Sequence, residues 1–327
     1  MGKTDEKLDQ AKAAMVERLL SDMETEGADW VRDWADCGTP FNPVTGTVYR
    51  GRNALLLMCA IAAEGLTDPR FMTFAQAKTA GYKVRKGCHG HPIEKWREMW
   101  FSRADPTAQV AQPKTKADAA RYEDDPDMFS RWLPVGHFTL FNASDIEGIE
   151  PYLAEKDPFE ADDLALFDYL ETYSPCKVVE ALQGRAFYSP ASDAITIPVR
   201  SQFADLEGAA RTLLHEIGHA TGHASRLDRP MTGKYGEESY AREELIAEMC
   251  CMFTAAALGT RMPKAFGDRE YWANHVSYIR SWLKACGDDA AAEVMRAATA
   301  AANASDWLMR NCFPVEQDEA EPEALTA

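Results

Sequence analysis

The sequence of 327 residues has no long apolar run, and no stretch approaches the roughly 18 continuous apolar residues that a membrane-spanning helix needs. Its first twenty residues, MGKTDEKLDQAKAAMVERLL, are charged and amphipathic and lack the apolar core of a secretion signal. We therefore expect a cytoplasmic protein that does not have a membrane among its partners.

None of the eight cysteines forms a Cys-x-x-Cys pair. In a chain of this length without a secretion signal, reduced thiols are expected. The ordinary role of such a residue is that of a small buried apolar side chain, and Cys250 and Cys251 lie side by side in an apolar helical run.

Positive charge is in short supply, since the formal net charge is −17 at pH 7. Taken alone, this acidity argues against nucleic acid as a partner. The charge is not uniform, however, because residues 41–103 contain ten Lys or Arg and only four Asp or Glu. A locally basic surface is therefore compatible with the acidic total.

Helix and strand patterns predict an α+β protein with two domains. Residues 1–148 combine helical segments with strands in PIEKWREMWF and WLPVGHFTLFNASDIEG, interrupted at 104–130 by a polar segment that we interpret as a flexible insertion. Residues 149–165 are interpreted as a linker, 166–313 as the second domain, and 314–327 as a disordered acidic tail.

In the second domain, VVEALQGRAFYSPASDAITIPVR predicts a β-meander. A helix over 202–223 follows it, and a second helix is predicted from about Tyr240 to Leu258.

The stretch LLHEIGHATGH, residues 213–223, contains the strongest chemical signal. His215 and His219 are four residues apart, which on a helix places both imidazoles on one face and within reach of one metal ion. Glu216 lies beside them, where a carboxylate acts as general base toward a metal-activated water. Burial of these groups in an apolar helix is costly unless an ion compensates for it.

His223 is a poor third ligand because it lies eight residues, or about 12 Å, after His215. The extended motif that uses a third histidine needs it at position 225, which is Ser225. We expect His223 at the end of the helix.

The second helix, YAREELIAEM, offers a carboxylate ligand in a gluzincin-like arrangement, in which the ligand glutamate is followed four residues later by an acid that orients a histidine. This favours Glu244 as ligand and Glu248 behind it, and the reverse assignment stays open. Glu243 is expected to be solvated. Tyr240, Tyr235 and Arg226 are candidates to stabilise an oxyanion.

Several segments together resemble one family. HEIGHATGHASRLDR, YAREELIAEM and GRAFYSPASDAITIP resemble the zincin-like metallopeptidase domain of ArdC-type antirestriction proteins. PFNPVTGTVYRGRNALLL, DPRFMTFAQAKTAGYKVRKGCHGHPI and FTLFNASDIEG resemble the N-terminal domain of the same family, so that the likeness covers about residues 10–310. Ala220 stands where a Trp is usual, and the segment 104–130 is longer than expected; the ligand positions are intact.

The resemblance implies a protein of a conjugative plasmid or a phage that protects incoming DNA from restriction, in the cytoplasm of a bacterial host or recipient cell. It implies an N-terminal domain that binds single-stranded DNA and a zinc metallopeptidase domain with one zinc ion per chain and an unknown protein substrate. Another divalent metal such as Mn²⁺ is an alternative.

Single strands are bound by basic grooves that carry aromatic platforms. The basic segment of the first domain supplies both kinds of residue, and those expected to contact DNA are Tyr49, Arg50, Arg52, Asn53, Lys83, Arg85, Lys86 and Trp96.

Two other functions compete with a DNA-binding peptidase. The first is a DNA-binding shield whose metal site is structural or vestigial; the presence of Glu216, which a structural site does not need, argues against it. The second is a metal-dependent nuclease, which is disfavoured because one HExxH site lacks the multi-carboxylate, two-metal layout common in nucleases.

Overall fold

The computed structural model describes residues 3–113, 116–154, 156–159, 165–203, 206–231, 237–261 and 269–314. The helices are α1 (Lys3–Thr25), α2 (Arg32–Ala35), α3 (Gly51–Glu64), α4 (Phe74–Thr79), α5 (Lys116–Glu123), α6 (Ala165–Thr172), α7 (Leu206–Ala220), α8 (Glu238–Leu258), α9 (Arg269–Cys286) and α10 (Ala290–Asn311). The strands are β1 (Phe71–Thr73), β2 (Lys83–Val84), β3 (His91–Ser102), β4 (Gln109–Ala111), β5 (Met128–Asn142), β6 (Ile146–Glu147), β7 (Lys177–Ala181), β8 (Phe187–Ser189) and β9 (Ala194–Pro198). Among the described helices, none combines the length and apolarity that crossing a bilayer requires.

The chain folds into two compact units, and residues 14–70, which the sequence assigned to the first domain, fall in the second unit. The first unit comprises Met1–Ala13 and Phe71–Ile149, and the second comprises Ala14–Arg70 and Glu150–Ala327. Residues 14–70 join the second unit because α3, which is apolar around most of its circumference, packs against α10. Gly51 begins α3 with a φ of +52°, a backbone conformation that favours glycine.

The first unit is built on a four-stranded antiparallel sheet in the order β1-β5-β3-β4. Its centre is the long pairing of β3 with β5, whose register shifts between Lys95 and Trp96. The segment 104–130, predicted as a flexible insertion, instead contains β4 and α5. A buried Ala119 and the contact of Tyr122 with Trp100, ring centres 5.8 Å apart, hold α5 to the sheet.

The second unit contains a three-stranded sheet in the order β7-β9-β8. The predicted antiparallel pairing of GRAFYSP with AITIPV is confirmed as β8 with β9, but the sheet is not a meander because β7 pairs in parallel with the other side of β9. Ile195 and Ile197 of β9 are completely buried, as expected for the central strand, whereas β8 forms one edge of the sheet.

The two predicted helices of the motif are α7 and α8, which pack directly against each other. Gly218 makes the close approach possible, because a Cβ at this position would lie 3.3 Å from Cα and the carbonyl oxygen of Ala247. Leu213, Ile217 and Leu245 are fully buried beside this contact. The metal motif is therefore held on a buried, closely packed helix pair.

Candidate metal centre

The helix pair brings His215, His219 and Glu244 together. Nε2 of His215 lies 3.1 Å from Nε2 of His219. Oε2 of Glu244 lies 3.3 Å from the first of these nitrogens and 3.2 Å from the second. These three residues form a group, on the described part of the chain, whose ligand atoms are close enough to hold one metal ion.

The spacing of the three atoms fits a small divalent cation. Bonds of about 2.0–2.1 Å in a tetrahedral zinc site place neighbouring ligand atoms about 3.3 Å apart. The donor set of two imidazoles and one carboxylate is also that of a catalytic zinc site, which leaves the fourth position open.

The electrostatics of the site favour positive charge. Burial lowers the pKa of His215, but hydrogen bonds with Cys251, Glu244 and Glu248 outweigh it, so that the pKa stands well above its ordinary value. Burial likewise opposes protonation of His219, while Glu244 and Glu243 raise its pKa to about 9. A cation bound here would benefit from the same carboxylates.

The second nitrogen of His215 faces Glu248. Oε1 of Glu248 lies 2.9 Å from Nδ1 of His215, on the opposite side of the ring from the three clustered atoms. The other carboxylate oxygen of Glu248 accepts a hydrogen bond from Arg211, which is completely buried. A carboxylate behind a histidine fixes the orientation of its ring and the tautomer that presents Nε2.

His219 has a parallel arrangement on the other side. Its Nδ1 lies 3.3 Å from Oε1 of Glu243, and Arg229 donates to both oxygens of that carboxylate at 2.6 and 3.1 Å. The expectation that Glu243 is solvated was wrong, because Arg229 folds over it and leaves it 8 % exposed. These contacts hold the pKa of Glu243, which burial alone would raise, below its ordinary value.

Glu216 lies at a cleft of about 200 Å³ that opens beside His219. Its Oε2 accepts a hydrogen bond of 2.7 Å from the backbone N–H of Tyr188 in the edge strand β8. The cleft is lined by Phe187, Tyr188, Pro190, Glu216, His219, Met231, Ser239, Tyr240, Glu243 and Glu244.

Of the other residues considered for the site, Tyr240 lies at the cleft, whereas His223 and Arg226 make contacts elsewhere. His223 follows the end of α7, and its Nδ1 lies 2.8 Å from Oγ of Ser225, away from the metal cluster. Arg226 is engaged by Asp193 and donates to the hydroxyl of Tyr188 at 3.2 Å, so it supports β8 from behind. Tyr240 lines the cleft, and Tyr235 lies outside the described residues.

The residues expected to contact DNA are divided between the two compact units. Tyr49, Arg50, Arg52 and Asn53 surround the start of α3 in the second unit, where Arg50 pairs with Asp306 at 2.9 Å. Lys83, Arg85, Lys86 and Trp96 belong to the first unit. Lys83 pairs with Glu147 at 3.0 Å, and Nε1 of Trp96 donates to Glu94 at 3.0 Å.

Comparison with known proteins matches each half of the chain to a family. The N-terminal domain of anti-restriction factor ArdC matches residues 9–128, and a zincin-like metallopeptidase family matches residues 170–300. The crystal structure of the antirestriction protein ArdC from plasmid R388, metal-free, superposes with a TM-score of 0.64 at 27 % identity, covering 92 % of this chain and 97 % of that one. The chain combines an ArdC-type N-terminal domain with a zincin-like metallopeptidase-family domain. The Mn(II)-bound ArdC structure gives the same TM-score, 0.64, at 28 % identity and with the same coverage.

Curated relatives of this ArdC-type chain differ in length. A DNA primase TraC of Escherichia coli is 34 % identical over 302 residues, which are 90 % of this chain and 26 % of TraC. The chain thus spans about a quarter of that relative. The uncharacterized protein y4eC of Sinorhizobium fredii is 29 % identical, with 92 % of both chains covered.

Sequence reasoning missed the two arginines that hold the orienting carboxylates. Arg211 carried a signal, because it lies four residues before His215 and therefore on the same face of an otherwise apolar helix. Arg229 carried none, since it reaches Glu243 through a loop whose path follows from tertiary structure.

Proposed function

We propose that the protein is an antirestriction factor of a mobile element, a plasmid or a phage, which binds single-stranded DNA without sequence preference and carries a zinc metallopeptidase site. The observation that supports the enzymatic part most strongly is the cluster of His215, His219 and Glu244 with Glu216 beside it at an open cleft. The DNA-binding part rests on the ArdC-type N-terminal region.

In this proposal His215, His219 and Glu244 are the metal ligands, and Glu248 and Glu243 orient the two imidazoles. We favour zinc because two imidazoles and one carboxylate are the donor set of a catalytic zinc site; Mn²⁺ is the alternative, since a related ArdC protein has been crystallised with Mn(II). When bound, the ion would lower the pKa of a water and polarise a carbonyl group.

The chain itself supplies a base and a hydrogen-bond donor. Glu216 accepts the proton of the attacking water and returns it to the leaving amine, which is the general acid–base role that its place in the cleft suits. Tyr240, which lines the same cleft, is the candidate to donate a hydrogen bond from its hydroxyl to a developing oxyanion. The substrate would be a polypeptide segment that lies in the cleft beside β8.

A second function is favoured by one observation. Glu216 already accepts a hydrogen bond from the backbone of Tyr188, so its carboxylate also ties the motif helix to the edge of the sheet. A DNA-binding shield that uses the metal only for stability would need Glu216 for this tie and not for chemistry.

The two functions are separated by Glu216→Gln, which preserves the size of the side chain and its carbonyl acceptor. If the protein is a metallopeptidase, the Glu216→Gln variant retains one metal ion per chain but no longer cleaves unstructured protein substrates. His215→Ala serves as the metal-deficient reference. If wild-type protein cleaves nothing and the variant protects incoming DNA from restriction as well as the wild type does, the shield is correct.

A further inference from the structure

The pairing of β3 with β5 separates charge between the two faces of the sheet. In a strand successive side chains point to opposite faces, and the register pairs Lys95 with Gly136, Arg97 with Leu133 and Met99 with Arg131. Lys95, Arg97 and Arg131 therefore share one face, and Arg103 follows just past the end of β3. We call this surface the cationic face; it comprises Lys95, Arg97, Phe101, Arg103, Phe129, Arg131 and Phe138.

Both acidic residues of this strand pair lie on the opposite face. Glu94 pairs with His137 and Glu98 pairs with Trp132. Along β3 each glutamate directly precedes or follows a cation, so its side chain points to the other face. Helices of the first unit also contact that side, through the ion pair of Lys12 with Glu94 at 2.7 Å and the ring contact of Tyr122 with Trp100.

Aromatic rings alternate with the cations on the cationic face. Phe101 and Phe129 stack with ring centres 5.8 Å apart, and the guanidinium of Arg131 lies 4.8 Å from the centre of the Phe129 ring. Nζ of Lys95 lies 5.0 Å from the centre of the Phe138 ring. Phe138 is 42 % exposed and Arg131 is also exposed, so a ring and a cation are accessible from solvent.

We propose that single-stranded DNA binds along the cationic face, with phosphates near Lys95, Arg97, Arg103 and Arg131 and with an unpaired base stacked on Phe138. The inference rests on the proposed function and names its DNA surface. Cations that track the backbone, combined with rings that accept any base, are the physical requirements of binding without sequence preference. A face of this kind, which exposes Phe138, Arg103 and Arg131 and carries no carboxylate along the paired strands, is complementary to a polyanion although the whole chain is acidic.

This surface differs from the one predicted from sequence. Trp96 lies on the opposite face and donates to Glu94, and Lys83 is paired with Glu147. The cationic face instead uses residues that sequence reasoning did not select, because their common orientation depends on the register of two distant strands.

The experiment measures fluorescence anisotropy of a labelled oligothymidine with the full-length protein. Phe138→Leu removes the ring and keeps an apolar side chain, and Trp132→Leu is its matched control, since Trp132 is 61 % exposed on the opposite face. Arg131→Gln and Lys95→Gln each remove a charge, and Lys78→Gln, an exposed residue of α4, is the control for loss of charge.

Phe138→Leu is expected to weaken binding about fivefold or more, which is the lower range for loss of one base stack. Arg131→Gln and Lys95→Gln should each reduce the slope of log affinity against log salt by about 0.7, and the controls should bind within about twofold of the wild type. Thermal melting confirms that every variant is folded.

The experiment distinguishes a failure of the proposed function from a failure of the proposed DNA surface. If the wild-type protein does not bind the oligonucleotide, the proposed function fails and this inference fails with it. If the wild type binds and the Phe138, Arg131 and Lys95 variants bind equally well, DNA does not bind at the cationic face, although DNA binding itself stands. Loss of binding on changing Arg85 and Lys86 would then place the DNA at the loop that carries these two residues.

Discussion

Oε1 of Glu248 lies 2.9 Å from Nδ1 of His215, and Oε1 of Glu243 lies 3.3 Å from Nδ1 of His219. Each imidazole thus has a carboxylate behind it, and each carboxylate is held by an arginine, Arg211 in one case and Arg229 in the other. Both rings are turned so that their Nε2 atoms face each other and Glu244.

Replacement of the orienting carboxylates should weaken metal binding without abolishing it. Glu248→Gln and Glu243→Gln leave the three ligand atoms in place but remove the acceptor charge behind a histidine, and such changes typically cost about 10- to 100-fold in metal affinity. Competition with a chelating indicator measures the effect. Glu238→Gln, at the exposed start of α8, is the matched control and should bind metal as the wild type does.

Replacement of a ligand should have a larger effect. His215→Ala, His219→Ala and Glu244→Ala each remove one of three protein ligands, so the purified variants should contain much less than one metal ion per chain in elemental analysis. His223→Ala should retain the metal, because its imidazole contacts Ser225 outside the cluster. A loss of metal in the His223 variant equal to that in the others would contradict the ligand assignment.

Metal binding should strengthen as pH rises. The pKa of His219 in the metal-free protein is raised to about 9, so protons compete with the metal below that pH. Because the folded pKa exceeds the ordinary value of 6.5, protonation stabilises the metal-free fold below about 6.5, and this contribution is lost as pH rises toward 9. The difference in melting temperature between metal-loaded and metal-free protein should therefore grow as pH rises over this range. A difference that shrinks would show that protons and the metal ion do not compete for the site.

The contact of α7 with α8 should be sensitive to side-chain size at Gly218. Gly218→Val introduces atoms where even a Cβ would lie 3.3 Å from the Ala247 backbone, which should destabilise the fold by about 1–3 kcal/mol. Gly184→Val is the control, because a Cβ at Gly184 meets nothing within 4 Å. Chemical denaturation measures the free energy of unfolding of both variants. Equal values would show that α7 and α8 can move apart at Gly218 without loss of stability.

Local patterns were sufficient to predict the helices of the site. The spacing of His215 and His219, together with the apolar residues around them, predicted a buried motif helix, and the period of YAREELIAEM predicted a second helix with Glu244 and Glu248 one turn apart. The α+β class and the resemblance to ArdC-type proteins are confirmed by the structure and the family matches.

What sequence did not predict depends on contacts between distant segments. The parallel pairing of β7 with β9 skips over β8, and nothing in the local pattern distinguishes it from a meander. The apolar run of α3 showed that it would be buried, but not that α10 would cover it. Glu243 was misjudged because helical periodicity places it correctly on α8 and gives no information about Arg229.

The most direct test of the metal centre is an anomalous difference map from crystals of the zinc-loaded protein. We expect one peak per chain, at about 2.0–2.2 Å from Nε2 of His215, Nε2 of His219 and a carboxylate oxygen of Glu244, with Glu248 outside bonding distance. A peak bonded to Glu248 instead of Glu244, or no peak between the two histidines, would contradict the account.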